Sequence, residues 1–331
     1  MIQNELKISI EGLSDELLAL YRDSGMDRGR AGREAVEWAF ARNDAPFCVA
    51  RQGDEIVGLS AYIRSEMQFG NARGSGFQAV DSFVSPKMRG KGLFTSLASA
   101  YAEHVRKTAA DLVWGFPNDN AAPAWFGKLE WVRHGQVPFM IRPLRAGYFL
   151  RKLKIPGDFP IGSGRDQNLS PLTELGDWVN PLWARFSDNI GCATIRDEAF
   201  LRHRIFMGPN AERYRVVADT SENGALVATC EAKKHGGHIA YLMEAFGGQE
   251  LTGVLHSELA RLRTRGAELA LAWCYPWSPN YQQLRACGFM PLPEFLRPIR
   301  IWFGARGCST LGSKAENRSN WYLSYLDSDT V

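Results

Sequence analysis

Residues 85–95 read SPKMRGKGLFT. Gly90 and Gly92 flank Lys91, Arg89 precedes them, and an apolar run follows. The stretch before, GFQAVDSFVSP (76–86), alternates as a strand does and is stopped by Pro86. The stretch after, GLFTSLASAYAEHVRKTAA (92–110), puts Leu93, Leu97, Tyr101 and Val105 at intervals of four, one apolar stripe of a helix. Residues 85–95 are thus predicted to be a strand-to-helix turn. Glycines there let backbone N–H groups approach a ligand with no Cβ in the way. The helix also points its positive dipole end into the turn. A turn of this kind binds phosphate oxygens, and Lys87, Arg89 and Lys91 add positive charge. Its spacing meets neither GxxxxGK[ST] nor GxGxxG.

The flanking segments extend the pattern. DELLALYRDSG (15–25) and AGREAVEWAFARN (31–43) carry helical spacing. PFCVARQ and EIVGLSAYIRS alternate on either side of Gly53-Asp54, a hairpin signal. After the long helix come a strand in DLVWGFP (111–117), a short helix in NAAPAWFGKLEW (120–131) and a strand in VPFMIRPL. The predicted order is two helices, an antiparallel hairpin, strand, turn, helix, strand, helix, strand.

In this order the turn resembles the GCN5-related N-acetyltransferase (GNAT) family, which carries [Q/R]-x-x-G-x-[G/A] between a strand and a helix. KMRGKG matches, with Lys87 at the Gln/Arg position; lysine keeps the charge and loses the planar fork. NAAPAWFGKLEW is similar to the family's N…A…Y-x-K-L-G-F segment. Asn120 matches the asparagine, Trp131 the aromatic, Glu130 replaces the glycine, and Phe126 stands where the family often has the tyrosine that protonates the leaving thiolate. The resemblance implies a mixed α/β fold and acetyl-CoA as co-substrate, with no metal. The pyrophosphate would lie on successive amides of the turn. The implied coenzyme A contacts are Phe83, Val84, Ser85, Lys87, Met88, Arg89, Gly90, Lys91, Gly92, Leu93 and Phe94, joined by Asn118, Asn120 and Phe126.

The second half repeats the first. ELALAWCYPWSPNYQQLRACGF (268–289) parallels DLVWGFPNDNAAPAWFGKLEW (111–131), each giving a strand, Trp-x-x-Pro and a short helix. RYRVVADTSENGALVATCEAK (213–233) is a strand–turn–strand like the first hairpin. We therefore expect two tandem GNAT-like domains, each a central mixed sheet flanked by helices: 1–145 binding acyl-CoA, 146–304 without the phosphate turn, and a 305–331 tail with one strand-like run, WYLSYLD. The boundary falls near 145–160, where KIPGDFPIGSGRDQNLS is rich in Pro, Gly and Ser. In the second copy GGQELTGVL follows the strand HIAYLMEAF; it has no basic residue, and Glu250 would repel a pyrophosphate. IRDEAFLRHRIFMGPNAERYR is dense in arginine. Arg196, Arg202 and Arg204 there are the expected holders of an acceptor carboxylate or phosphate.

Acetyl transfer to an amine needs a base for the amine proton, donors for the oxyanion, and a proton or positive charge for the departing thiolate. Asp81, on the strand entering the turn, suits a base or an amine-orienting carboxylate, and Glu66 is the second candidate. Amides of Ser82, Phe83 and Val84 are expected beside the acyl carbonyl. Tyr101 is spaced as a core residue, and His104 faces solvent. The expected function is an acyl-CoA-dependent N-acyltransferase, acetyl in the first instance, acting on a primary amine of a small acceptor, with an amino sugar preferred. An aminoacyl transferase of cell-wall synthesis and a non-catalytic acyl-CoA-binding module stand as alternatives.

With 331 residues, 45% of them hydrophobic and 23% charged, the chain has the composition of a globular protein of about two domains. A net charge of +3 does not argue for nucleic acid. No apolar run is long enough to span a membrane, and MIQNELKISIEG lacks the pattern of a signal peptide. The six cysteines form no CxxC pair and read as buried reduced thiols. A cytoplasmic monomer or homodimer is the expectation.

Overall fold

The structure, a computed structural model, describes residues 5–26, 32–162, 169–234, 236–297 and 299–328. Part of the Pro/Gly/Ser-rich stretch expected at the boundary (163–168) lies outside them. The chain divides into two compact units, the first made of Met1–Gln136 with Arg300–Asn320 and the second of Val137–Ile299 with Trp321–Val331.

The first unit begins with β1 (Leu6–Glu11), helices α1 (Asp15–Ser24) and α2 (Arg33–Phe40), and strands β2 (Phe47–Gln52), β3 (Glu55–Phe69) and β4 (Ala72–Val84). Then come α3 (Leu93–Lys107), β5 (Leu112–Gly115), α4 (Ala122–Gly127) and β6 (Val132–Gln136). Ser14 starts α1 by accepting a hydrogen bond from the Leu17 amide, and Gly25 ends it in a left-handed cap. Leu17, Tyr21, Val36 and Phe40 of α1 and α2 pack with Phe47, Val49 and Leu59. The α3 stripe Leu93, Leu97, Tyr101 and Val105 packs with Phe77, Trp125 and Trp131 in a separate core. All four stripe residues are buried, each contributing roughly 1.5–3 kcal/mol of apolar burial. Tyr101 is the core residue its spacing predicts: it stacks on Tyr62 at 3.5 Å, and its hydroxyl accepts from Asn43.

The second unit contains β7 (Phe139–Pro143), α5 (Gly147–Lys152), α6 (Val179–Phe186), the two-residue β8 (Ala193–Thr194) and α7 (Glu198–Leu201). It continues with β9 (Tyr214–Asp219), β10 (Ala225–Lys234), β11 (Gly237–Gly247), α8 (Leu251–Thr264), β12 (Leu269–Trp273), α9 (Tyr281–Ala286) and β13 (Met290–Pro291). The chain then returns to the first unit as β14 (Trp302–Gly307).

The first sheet runs β1-β2-β3-β4-β5-β14-β6 and the second β13-β7-β12-β11-β10-β9. In each, one parallel pair joined by a long helix (β4 with β5 through α3, β11 with β12 through α8) sits among antiparallel neighbours. The repeat is therefore real, and it contains an exchange. β14 lies between β5 and β6 of the first sheet, and β7 lies between β12 and β13 of the second. Each sheet thus has, within its main strand order, a strand from the other half of the sequence. The expected boundary after residue 145 therefore misassigns β7.

The expected tail is likewise not a single piece. Residues 305–320 belong to the first unit, whereas Trp321, Tyr322, Leu323, Tyr325 and Leu326 are core of the second. Its run WYLSYLD forms a bridge at Trp321 and a 3-10 turn over Tyr325–Asp327 rather than a strand.

Candidate active site

β4 and β5 are paired only from Gly76 opposite Leu112 to Ala79 opposite Gly115. β5 stops there and β4 continues to Val84, so beyond Ala79 the two strands no longer pair. On its other edge β4 carries a bulge: Tyr62 faces Ala79 and Ser60 faces Ser82, leaving Val80 and Asp81 together opposite Ala61. A bulge re-aims side chains. Val80 packs against the α1–α2 core, and Asp81 lies on that side too, its Oδ2 accepting a hydrogen bond from the Tyr21 hydroxyl at 2.9 Å.

The turn after β4 is a single 3-10 turn over Pro86–Met88, and residues 89–92 then lead into α3. Gly90 and Gly92 have φ of 75° and 80°, a left-handed conformation that glycine adopts without strain. A Cβ at either would meet no protein atom within 4 Å. These glycines thus serve the backbone path and leave open space before it, and no neighbouring element requires the absence of their side chains. Gly92 caps α3 without a side-chain hydrogen bond. The amides of Leu93, Phe94 and Thr95 in the first turn have no carbonyl four residues back within the helix to bind. With the helix dipole behind them, they make a ready anion site.

A cleft of about 680 Å³ opens in front of this turn. Of the expected coenzyme A contacts, Val84, Met88, Arg89, Gly90, Gly92, Leu93, Phe94, Asn118 and Asn120 line it. Five do not. Phe83 packs on the α1–α2 side. Ser85 is buried and gives its amide to the Val57 carbonyl. The Lys87 ammonium pairs with Glu55, so its charge is compensated within the fold. Lys91 is exposed beside the lining, with its amide on the Met88 carbonyl. Phe126 packs over Gly304 of β14, beneath the Arg133 guanidinium. Ser82, Thr95, Ala121 and Ala124 also line the cleft; Thr95, one position into the first helical turn past Phe94, was legible by extending the turn, while the two alanines carried no signal.

Glu66 is placed away from the cleft. It faces Ser75, near the hairpin end where Phe69 meets Ala72. Ser75 and Ser82 are seven residue steps apart along β4, roughly 23 Å at the usual strand rise. It is not a candidate base. The arginines are also engaged. Arg196 is fully buried, with Nε on Glu244 Oε2 at 3.0 Å and its Nη atoms on Thr194 O, Ser324 Oγ and Asp327. Burial pulls its pKa down, but the adjacent Asp327 and Glu244 carboxylates outweigh that and hold it above the usual value. Arg202 pairs with Glu198 along its own helical turn. Arg204 donates to the Leu326 and Ser328 carbonyls. These side chains order the second unit's C-terminal segment and surface, which removes the reason for assigning them to an acceptor. His104 is partly buried next to the Tyr101 ring rather than fully in solvent.

The equivalent turn of the second unit is filled. A Cβ on Gly247 or Gly248 would lie within 3 Å of backbone atoms of residues 223–225, and the Gly248 and Glu250 amides bind the Gly224 and Asn223 carbonyls. The backbone of residues 223–225 thus occupies the space in front of this turn, which at Gly90 and Gly92 stays open. Among the described residues no group of three or more His, Cys, Asp or Glu is placed to hold a metal ion. Among the described residues no helix is long and apolar enough to cross a membrane.

Residues 12–132 match the family model of the acetyltransferase (GNAT) domain. The first unit is a GNAT domain. That match gives the chain an acyltransferase domain of the GNAT type. Solved structures extend the likeness of fold to both units. A GCN5-related N-acetyltransferase from Kribbella flavida is 16% identical, with a TM-score of 0.59 over 92% of this chain and 72% of that one. One from Anabaena variabilis is 10% identical, with a TM-score of 0.60 over 93% and 74%. Saccharomyces cerevisiae N-myristoyltransferase with bound myristoyl-CoA is 12% identical, with a TM-score of 0.56 over 92% and 83%. The comparison with curated proteins found no match.

Within this GNAT domain, Gly92→Ala isolates the turn. The left-handed backbone makes an alanine there cost roughly 1–2 kcal/mol of local strain. Its methyl would project into the space in front of the first-turn amides. We expect acyl-CoA affinity to fall about tenfold, the loss of one hydrogen bond to a charged group, with the protein still folded. Calorimetric titration checks this; an unchanged Kd would show that the amides do not meet the donor.

Proposed function

We propose that the chain transfers an acyl group, acetyl in the first instance, from coenzyme A to a primary amine of a small acceptor. The observation that supports this best is the open left-handed turn at the head of α3. It presents uncapped amides to a cleft that begins where β4 and β5 part. Diphosphate oxygens of coenzyme A suit those amides and the nearby Arg89 and Lys91. The pantetheine arm suits the unpaired edge of β4, whose backbone groups can replace the missing strand.

With the thioester carbonyl at that edge, an edge amide stabilises the oxyanion as the amine nitrogen attacks. The new C–N bond forms and the C–S bond breaks. The ammonium proton passes to the Asp81 carboxylate directly or through water, and the thiolate leaves toward solvent and positive charge, because Phe126 has no hydroxyl to protonate it. Asp81 lies on the α1–α2 side of β4 and the cleft residues Ser82 and Val84 on the other, so donor and amine approach from opposite sides.

The arginines that had pointed to an amino sugar are engaged within the fold, so the acceptor is assigned here only as a small amine. Because the yeast enzyme of like fold carries myristoyl-CoA, acyl length belongs in the test. A thiol-release assay with acetyl-, octanoyl- and myristoyl-CoA against a panel of amines should show amine-dependent release, fastest with acetyl. Binding of every acyl-CoA without release on any amine would favour the non-catalytic module.

A further inference from the structure

Outside the donor cleft the first unit holds a second concavity of about 700 Å³, lined by Val132, Arg133, His134, Gly135, Trp302, Glu316, Asn317 and Arg318. Its centre is a stacked pair. The Arg133 guanidinium lies over the Trp302 ring at 3.9 Å and 5.7 Å from the Phe126 ring. Among the described residues the Arg133 guanidinium has no hydrogen bond or ion pair with the protein. The indole is fixed from behind, its Nε1 donating to Asp119 Oδ1 at 2.7 Å and its backbone amide to Pro117 O. Arg318 lies over Gly135 in the same concavity. His134 adds no charge: burial pushes its pKa down to about 4, and its Nε2 is on the Ala315 carbonyl. The single acidic side chain in the lining, Glu316, accepts from the Gly307 amide.

We propose that this concavity binds an oxyanion, a carboxylate or phosphate monoester, seated on the edge of the Arg133 guanidinium above Trp302. A guanidinium stacked on an aromatic face is held planar with its N–H edge outward, so little side-chain freedom is lost when it grips an anion bidentately. Trp302 follows Pro117 in space, and Asp119, which anchors it, stands between Asn118 and Asn120 of the donor cleft. One loop therefore carries residues of both sites. Two ligands of the proposed reaction, on which this assignment of the source rests, could supply the anion: the acidic end of an amine acceptor, or the 3′-phosphate of coenzyme A.

The test is calorimetric titration of wild type, Arg133→Met and Arg133→Lys. Methionine keeps a long apolar stem against Trp302, and thermal unfolding confirms that the variants fold. The probes are coenzyme A against dephospho-coenzyme A, and amines paired by charge, glucosamine 6-phosphate against glucosamine and glutamate against glutamine, without coenzyme A. We expect wild type to prefer one anionic member by about tenfold or more, Arg133→Met to lose that preference, and Arg133→Lys to retain part of it. A preference between the coenzymes assigns the donor phosphate; a preference within an amine pair assigns the acceptor. No preference in wild type, or one unchanged in Arg133→Met, overturns the proposal. Failure of coenzyme A itself to bind strikes the acyl-CoA reading, while the amine pairs still decide this one.

Discussion

Replacing Asp81 with asparagine should lower turnover by about a hundredfold or more while leaving acyl-CoA affinity unchanged. The size follows from what a positioned general base contributes. The unchanged affinity follows from position: Asp81 sits in the β4 bulge on the α1–α2 side, whereas the donor cleft is lined from Ser82 and Val84 onward. The Tyr21 hydroxyl, 2.9 Å from Oδ2, can donate equally to an asparagine carbonyl, so the fold should not suffer. What asparagine cannot do is accept a proton. Single-turnover measurement of thiol release at saturating acyl-CoA separates the two effects. Wild-type turnover in the variant would remove Asp81 from the mechanism, and with Glu66 near the far end of the hairpin the proton would then have to leave through solvent.

The second large effect concerns stability. Arg196→Met should destabilise the protein by about 3–5 kcal/mol, the usual result of removing one partner from a buried ion network. Glu244 and Asp327 would remain buried, their side chains 0% and 1% exposed, without the guanidinium that now pairs with both. Already, burial raises the pKa of Asp327 even with Arg196 opposing that rise. The Trp183, Phe200 and Tyr322 rings, each within 6 Å of the guanidinium, accommodate a methionine stem, so the loss would be electrostatic rather than steric. Such a loss is a large share of the roughly 5–15 kcal/mol that holds a typical domain. Urea unfolding measures it. A change below about 1 kcal/mol would mean that the carboxylates find protons or water without the arginine.

The turn, the hairpin and the α3 stripe were legible because their signals are local: an alternation, a four-residue spacing, a glycine pair before a helix. The repeat was legible too, as two copies of those signals. Elements specified by distant partners were not. β1, LKISIE, does alternate Leu6, Ile8 and Ile10 with polar residues, but it is a short edge strand, exposed or partly exposed throughout, and its place in the sheet is set by its pairing with β2. Strand exchange left no local trace, since β7 and β14 read as ordinary strands wherever they pair. An arginine is by habit an exposed residue, so a cluster of them suggested a ligand; only Glu244 and Asp327, far apart in sequence, reveal Arg196 as core. The bulge that re-aims Asp81 depends on register with β3, which no spacing within β4 discloses.

The central claim, that the turn at Lys87–Gly92 is the chain's one acyl-CoA site, is tested most directly by calorimetric titration of acetyl-CoA into the whole protein. One open row of amides in the first unit and a filled turn in the second predict a stoichiometry of about one per chain, with the affinity weakened by Gly92→Ala. A stoichiometry near two, or one that survives with unchanged affinity in Gly92→Ala, would contradict it.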